Sequence, residues 1–162
     1  HGLSVGRHGL LGKQNLFDHS IRVPLLISGP DIPKNKKVEN EVYLQDIMAT
    51  TLELAKIDPP EEIEFKSFLK LAKGESDKKS YSNGMYGAYI NFQRMIRKDG
   101  FKLIVYPKLN KTLLFDLIND PYEKNDLSFN SKFKDKKVSL FNDLISLQKE
   151  FNDTLSLSRI IL

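Results

Sequence analysis

The pattern of hydrophobic and polar residues changes about halfway along the chain. Residues 1–20 contain four spaced glycines and no regular hydrophobic period, which is typical of a loop. The apolar run Ile21–Ser28 follows, ends at Gly29-Pro30 and predicts a strand buried on both faces. Apolar residues then recur at helical spacing over Leu44–Lys56, and a shorter helix is predicted over Phe65–Lys73.

The second half of the chain predicts strands and one long helix. Asp99-Gly100 is a strong two-residue hairpin signal, and Asn110-Lys111 indicates a second turn. The apolar residues of Lys132–Asn152 follow one face of a helix, so we expect this helix to cover one face of an antiparallel sheet. The predicted strands are four short runs rich in aromatic and β-branched residues: Ser80–Tyr86, Ile90–Arg97, Phe101–Tyr106 and Leu113–Leu117.

This order of elements predicts two structural parts without an internal repeat. The loop, the buried strand and the two helices are typical of the end of an α/β domain, which we place at residues 1–75. The meander and the long helix are typical of an α+β subdomain, which we place at residues 76–162. We expect the boundary between Lys73 and Lys79.

Composition narrows the classes of function. Hydrophobic residues make up 40% of the 162 residues, which is enough for a core. The net charge of +4 comes from lysines scattered among acidic residues, whereas a nucleic-acid interface would concentrate basic residues on one face. The chain contains no cysteine, which excludes disulfides, cysteine-ligated zinc and thiol catalysis within it. No apolar stretch approaches the roughly 20 residues that span a bilayer, so we expect neither a nucleic-acid partner nor a membrane span.

Three segments together resemble the sulfatase family, within the alkaline-phosphatase-like superfamily. His1–Lys13 reads His-Gly-Leu-Ser-Val-Gly-Arg-His-Gly-Leu-Leu-Gly-Lys and is similar to the family's Asp-(His/Asn)-Gly…Gly-x-His-Gly…Lys loop. Ile21–Ile27 is similar to the strand that follows that loop. Leu114–Glu123 reads Leu-Phe-Asp-Leu-Ile-Asn-Asp-Pro-Tyr-Glu and is similar to the Leu-(Phe/Tyr)-Asp-Leu…Asp-Pro-x-Glu motif of the C-terminal subdomain. The order and spacing of the three segments make a coincidence improbable.

The resemblance implies a parent enzyme that hydrolyses sulfate esters. In the family, a cysteine or serine converted to formylglycine supplies the nucleophile, and a divalent cation, usually calcium, binds the sulfate oxygens. The chain has no cysteine and no Ser/Cys-x-Pro-x-Arg signature, so we expect a C-terminal fragment that lacks the nucleophile and binds no calcium alone. The implied partners are a sulfate ester, for example a sulfated carbohydrate, and the N-terminal part of the same protein. The resemblance implies a periplasmic or extracellular location for the parent.

The resemblance and the chemistry of the side chains together indicate roles for four residues of the glycine-rich loop, His1–Lys13. Lys13 is the predicted catalytic cation, because a fixed ammonium group can stabilise the charge on the bridging oxygen of a sulfate ester. His1 is predicted to contact the sulfate or to be a marginal metal ligand, since calcium prefers oxygen. His8 either contacts the substrate or supports the loop, and Arg7 is a candidate for recognition of an anionic substrate. We expect the backbone groups of this loop to lack partners.

Other residues invite functional hypotheses that the sequence does not favour. His19 is interpreted as structural. Asp116, Asp120 and Glu123 could suggest a metal site, but their place around Pro121 indicates turn chemistry. Two alternative functions stay open: a related phosphate or phosphonate ester hydrolase, and a self-standing binding or assembly module.

Overall fold

The computed structural model describes residues 1–75 and 81–162, which form two compact units. One unit combines His1–Pro24 with Asn83–Leu162, and the other contains Leu25–Ser82. The predicted boundary between Lys73 and Lys79 and the start of the run at Ser80 fall mostly outside the described residues. The division of the intact protein into domains 1–75 and 76–162 stays a prediction. In the chain itself, the first 24 residues pack with the C-terminal part.

From α2 onward, the helices and strands follow the predicted order. Three short 3₁₀ turns accompany them: Arg7–Gly9 precedes the first helix, Pro107–Leu109 lies between the last two strands, and Ser131–Phe133 precedes the last helix. The four α-helices are α1 (Asp18–Ile21), α2 (Asp46–Leu54), α3 (Leu69–Lys73) and α4 (Lys134–Glu150). The four strands are β1 (Met85–Tyr89), β2 (Gln93–Lys98), β3 (Phe101–Tyr106) and β4 (Lys111–Asp116).

The strands form one antiparallel sheet in the order β1-β2-β3-β4. The turn between β2 and β3 is the predicted Asp99-Gly100 hairpin. Both residues have positive φ, 50° and 78°, as a tight hairpin that follows the twist of its strands requires. Asn110 also adopts a left-handed conformation before β4. The predicted meander is therefore confirmed, and β3 has the predicted bounds.

Helix α4 covers one face of this sheet, as its apolar stripe predicts. The stripe packs against strand residues that alternate along β2, β3 and β4, because successive side chains in a strand point to opposite faces. The buried residues of this core are Ile96, Leu103, Val105 and Leu114 from the sheet, Leu140, Leu144 and Leu147 from α4, and Leu157 from the segment after it. The fold class predicted for the C-terminal part is confirmed.

The opposite face of the sheet is covered by the chain just before and within α1. Leu16 and Phe17 are buried against Met95, Ile104 and Phe115. This packing explains why the first residues belong to the same compact unit as the sheet. The sequence did not predict it, because Leu16-Phe17 is too short to show a period.

Arg94 and Asp153 connect β2 to the segment that follows α4. The Arg94 guanidinium binds the Asp153 carboxylate through Nε and, at 3.0 Å, through Nη2. The amide N–H of Leu155 and the hydroxyl of Tyr86 also donate to Asp153. The hydrogen bond from Arg94 is the largest cause that holds the pKa of Asp153 well below its usual range, and the other hydrogen bonds add to it. Burial has the opposite, smaller effect. The pair thus anchors the C-terminal segment on the α4 side of the sheet.

The second unit contains α2 and α3, and both predicted helices are confirmed with shorter bounds. Gly74 ends α3 in a left-handed conformation at φ 78°. The fully buried Asp46 at the start of α2 accepts hydrogen bonds from the Tyr43 and Lys66 amides and from the Tyr81 hydroxyl. This carboxylate therefore connects the segment before α2, the segment before α3 and Tyr81 to the start of α2.

The prediction of a strand at Ile21–Ser28 is wrong. Residues 22–28 have no regular secondary structure, and the Leu26 side chain is 94% exposed. A strand buried on both faces needs neighbouring strands to pair with its backbone. Within residues 1–75 and 81–162, all strand pairing is among β1 to β4, so this apolar run has no sheet to enter.

In the part of the chain that the structure describes, no helix has both the length and the apolar character to span a bilayer.

Candidate functional site

The glycine-rich loop closes on itself through backbone hydrogen bonds. The Ser4 amide donates to the Gly12 carbonyl at 3.0 Å, and the Gly6 amide donates to the Leu10 carbonyl at 2.8 Å. Four of the five residues Val5–Gly9 have positive φ, which gives the loop its tight tip. We expected the backbone groups of this loop to lack partners. That expectation is wrong for the Ser4 and Gly6 amides, because the first and second halves of the loop are hydrogen-bonded to each other.

Glycine is required where the loop meets α1. The Gly2 amide donates to the Ser20 carbonyl at 3.2 Å. A Cβ on Gly2 would overlap the carbonyl oxygen of His19. The absence of a side chain at Gly2 thus allows the start of the loop to lie directly on α1.

Two of the predicted site residues, His1 and Lys13, lie together where the two ends of the loop meet. The Lys13 Nζ lies 2.6 Å from Nε2 of His1, although 12 residues separate them in the sequence. An ammonium group has no acceptor, so Nε2 accepts this hydrogen bond and the His1 ring is neutral in this arrangement. Both side chains are exposed. The loop therefore presents a cation and an imidazole at one point on the surface.

His8 and Arg7 make contacts that differ from those of the His1–Lys13 pair. The His8 ring stacks on Phe17 with a centroid distance of 4.0 Å and an interplanar angle of 6°. The Arg7 guanidinium lies over the Tyr122 ring, 5.4 Å from its centroid. These contacts favour a supporting role for His8, while the predicted substrate contacts of His8 and Arg7 stay predictions.

The His19 side chain connects α1 to Ser4 of the loop. Its Nε2 lies 2.7 Å from the Ser4 hydroxyl, which also accepts a hydrogen bond from the Asn15 side chain at 3.0 Å. Burial is the largest cause that lowers the pKa of His19 below its usual value, and the electrostatic influence of His8 and then Arg7 adds to it. These contacts agree with the structural interpretation of His19.

A buried group of charges that the sequence did not predict lies beneath the loop. Lys102 of β3 is fully buried, and its Nζ binds Asp18, the Glu123 carboxylate at 2.6 Å and the Leu16 carbonyl at 3.2 Å. Arg97 Nη1 donates to the other oxygen of Asp18 at 2.7 Å. The charges are therefore paired, as buried charges must be. Strand alternation places Lys102 on the same face as the core residue Ile104, but the sequence does not show that this face is covered.

The charge state of Asp18 predicts a loss of stability in acid. Burial would raise the pKa of Asp18, but Lys102, Arg97 and Arg22 together bring it below its ordinary value of 3.8. A carboxyl whose pKa is lower in the folded state stabilises the fold above its unfolded pKa. That contribution is lost as the pH falls through the folded pKa, so we expect the free energy of unfolding to decline below about pH 4.

Urea denaturation at a series of pH values measures this loss, with Asp18→Asn as the comparison. The variant should show a flatter decline between about pH 5 and pH 2 than the wild type, because residue 18 no longer titrates. Equal slopes for both proteins would contradict the assignment.

His8, His19 and Glu123 form a cluster that must be weighed as a metal site. One ligand atom of each lies within 4.8 Å of the others. However, both Glu123 oxygens are occupied, by the Lys102 ammonium at 2.6 Å and the Asp18 amide at 2.7 Å. The His8 and His19 rings also lie nearly parallel, at 17°. Because a metal ion would sit close to the Lys102 charge, the cluster does not fit a cation.

The acidic residues near Pro121 are divided between two roles. Asp116 accepts from the Ile118 and Asn119 amides, and Asp120 accepts from the Asn125 amide, which is the predicted turn chemistry. The turn interpretation is wrong for the side chain of Glu123, which points inward and binds Lys102 and the Asp18 amide. The positive φ of Glu123, 57°, belongs to the turn, whereas its carboxylate belongs to the buried charge group.

The loop and the sheet together define the C-terminal part of a sulfatase. Residues 6–150 match the family model described as "N-sulphoglucosamine sulphohydrolase, C-terminal". The chain therefore belongs to this sulfatase family, as its motifs indicate.

Several known proteins with similar sequences or structures are sulfatases. A sulfatase of Formosa agariphila is 31% identical over 141 residues, covering 86% of the chain and 27% of the relative. A Delta 4,5-hexuronate-2-O-sulfatase of Bacteroides thetaiotaomicron is 26% identical, covering 93% of the chain and 34% of the relative. The solved structure of a 2-O GAG sulfatase aligns with a TM-score of 0.74 and 25% identity, over 96% of the chain and 36% of that structure. The chain thus spans between about a quarter and slightly more than a third of the length of these proteins.

Proposed function

We propose that the parent protein hydrolyses sulfate esters, and that this chain contributes the positive edge of the active site. The observation that carries the proposal is the contact between Lys13 and His1, because it places two polar groups of the loop motif at one exposed point. The chain contains no cysteine, and Ser28-Gly29-Pro30-Asp31-Ile32 has Ile where the nucleophile signature has Arg. The nucleophile is therefore proposed to lie in another part of the protein.

Lys13 and His1 would act on the charge of the sulfate group. A sulfate ester is anionic, and its bridging oxygen gains negative charge as the sulfur–oxygen bond breaks. The Lys13 ammonium would stabilise that charge electrostatically, because the loop fixes its position before the reaction. Nε2 of His1 would keep the ammonium oriented when no substrate is bound. With the ester bound, the ammonium would face its bridging oxygen from this position.

Members of this enzyme class generally use a metal ion, and we propose calcium for the parent. Calcium takes about 6–8 oxygen ligands, whereas the pair offers an imidazole nitrogen that already accepts from an ammonium group. These two residues do not by themselves fit a calcium site. The oxygen ligands are proposed to lie elsewhere in the intact enzyme, and a marginal ligand role of His1 stays a prediction.

A sulfated carbohydrate is the proposed substrate class. The support is the relative whose name is Delta 4,5-hexuronate-2-O-sulfatase, which matches 93% of the chain. The exposed Arg7 next to Tyr122 would suit an acidic sugar, since a guanidinium binds carboxylates and an aromatic ring packs against a sugar face.

Substrate preference tests the proposal against the related ester hydrolases. We expect the full-length protein to have a higher kcat/KM for an aryl sulfate than for an aryl phosphate or a phosphonate monoester. A chelator should lower the sulfatase activity, and added calcium should restore it. A preference for the phosphonate ester would favour the alternative hydrolase, and no activity toward any of the three would favour a binding or assembly module.

A further inference from the structure

The segment that carries Lys13 toward α1 is attached to the sheet in an unusual way. We call residues 14–18 the connecting segment. It lies on the sheet face opposite α4 without joining the strand pairing. Its backbone polar groups are buried at Leu16 and Asp18 and must have partners there. Side chains of β2 and β3, together with Glu123 after β4, provide those partners.

Gln93 of β2 binds the first half of the connecting segment. Its side-chain oxygen accepts from the Leu16 amide at 3.1 Å, and its side-chain nitrogen donates to the Gln14 carbonyl at 3.4 Å. A primary amide can do both at once because it carries a donor and an acceptor. Gln93 is itself buried, so water does not compete for these bonds.

Lys102 and Glu123 bind the second half. Lys102 Nζ donates to the Leu16 carbonyl at 3.2 Å, and the Glu123 carboxylate accepts from the Asp18 amide at 2.7 Å. The two side chains also bind each other at 2.6 Å. Charged hydrogen bonds of this kind are stronger than neutral ones. The carbonyl that Gln93 binds belongs to Gln14, the residue that follows Lys13.

We infer that Gln93, Lys102 and Glu123 are positioning residues for Lys13, which hold the connecting segment so that the loop presents the ammonium group at a fixed place. This inference rests on the proposed function of Lys13. None of the three side chains needs to touch the substrate. They act through the backbone, and a displacement of about 1 Å at a reacting group can lower a rate by about 100-fold.

Three substitutions in the full-length protein test the inference. Gln93→Ala removes two hydrogen bonds without leaving a buried charge, and Lys102→Met removes the central cation. Asp153→Asn is the matched control, because it weakens a similarly buried charge pair on the other sheet face. We expect the first two variants to lower kcat/KM for an aryl sulfate by about 10–100-fold, and the control to change it less than about 2-fold.

A double substitution separates positioning from a general structural effect. If Gln93 acts through Lys13, Gln93→Ala should change kcat/KM little in a Lys13→Ala background. Lys102→Arg should recover part of the activity that Lys102→Met loses. Independent, additive effects of Gln93→Ala and Lys13→Ala would overturn the inference.

Amide hydrogen exchange in the same proteins gives a readout that does not depend on activity. The Ser4, Gly6 and Leu10 amides should exchange at least about 10-fold faster in Gln93→Ala and Lys102→Met than in Asp153→Asn, because the loop loses its attachment. Equal exchange in all three variants would also overturn the inference. If the wild type hydrolyses no sulfate ester, the proposed function fails, and the exchange rates still decide whether these side chains hold the loop.

Discussion

Replacing Lys13 with alanine in the full-length protein should lower kcat/KM for an aryl sulfate by about 10²–10³-fold, the usual effect of removing one preorganised electrostatic partner. The reason is that alanine removes the ammonium group that would stabilise the leaving oxygen. The Lys13 side chain is exposed, and its side-chain hydrogen bond is with His1, so the substitution should leave the fold intact. Steady-state kinetics with an aryl sulfate measures the effect.

Lys149→Ala is the matched control, because Lys149 is another exposed lysine, on α4. It should leave kcat/KM unchanged. Lys13→Arg should keep part of the activity, since the charge remains but a planar guanidinium replaces a compact ammonium group. A Lys13→Ala enzyme with normal kcat/KM would remove Lys13 from the mechanism.

Lys102→Met should reduce the free energy of unfolding by about 3–5 kcal/mol, the cost typical of breaking a buried charge pair. The Lys102 side chain is 0% exposed and pairs with both Asp18 and Glu123. Methionine fills a similar volume, so the loss reflects the two carboxylates that remain buried without their cation. Urea unfolding of the chain, followed by circular dichroism, measures the change.

Two further variants check this explanation. Lys102→Arg should lose less stability than Lys102→Met, because it keeps the charge. The triple substitution Asp18→Asn, Glu123→Gln and Lys102→Met should be more stable than Lys102→Met alone, since it leaves no uncompensated carboxylate. If the triple variant were less stable than the single one, the buried charges would not explain the loss.

The sequence predicted the sheet and α4 because their signals are local. Asp99-Gly100 defines its hairpin by two residues, and the stripe of α4 repeats over several turns. The prediction of a strand at Ile21–Ser28 was wrong because its signal is not sufficient on its own. Its apolar run indicates burial, but burial as a strand depends on neighbours that lie elsewhere in sequence.

The loop motif predicted that Lys13 and His1 belong to one site, and the structure places them in contact. It could not predict the buried charges, because Asp18, Lys102 and Glu123 are far apart in the sequence. A lysine in a strand is usually at the surface. Without knowing that Leu16 and Phe17 cover the second sheet face, nothing indicates that Lys102 is buried.

The central claim is that this chain carries the positive edge of a sulfatase active site but not its nucleophile. The most direct measurement is an aryl-sulfate assay with added calcium, run in parallel on the isolated 162-residue chain and on the full-length protein. Hydrolysis needs an activated nucleophile as well as charge stabilisation, so we predict turnover by the full-length protein and none by the chain. Metal-dependent turnover by the isolated chain would contradict the claim.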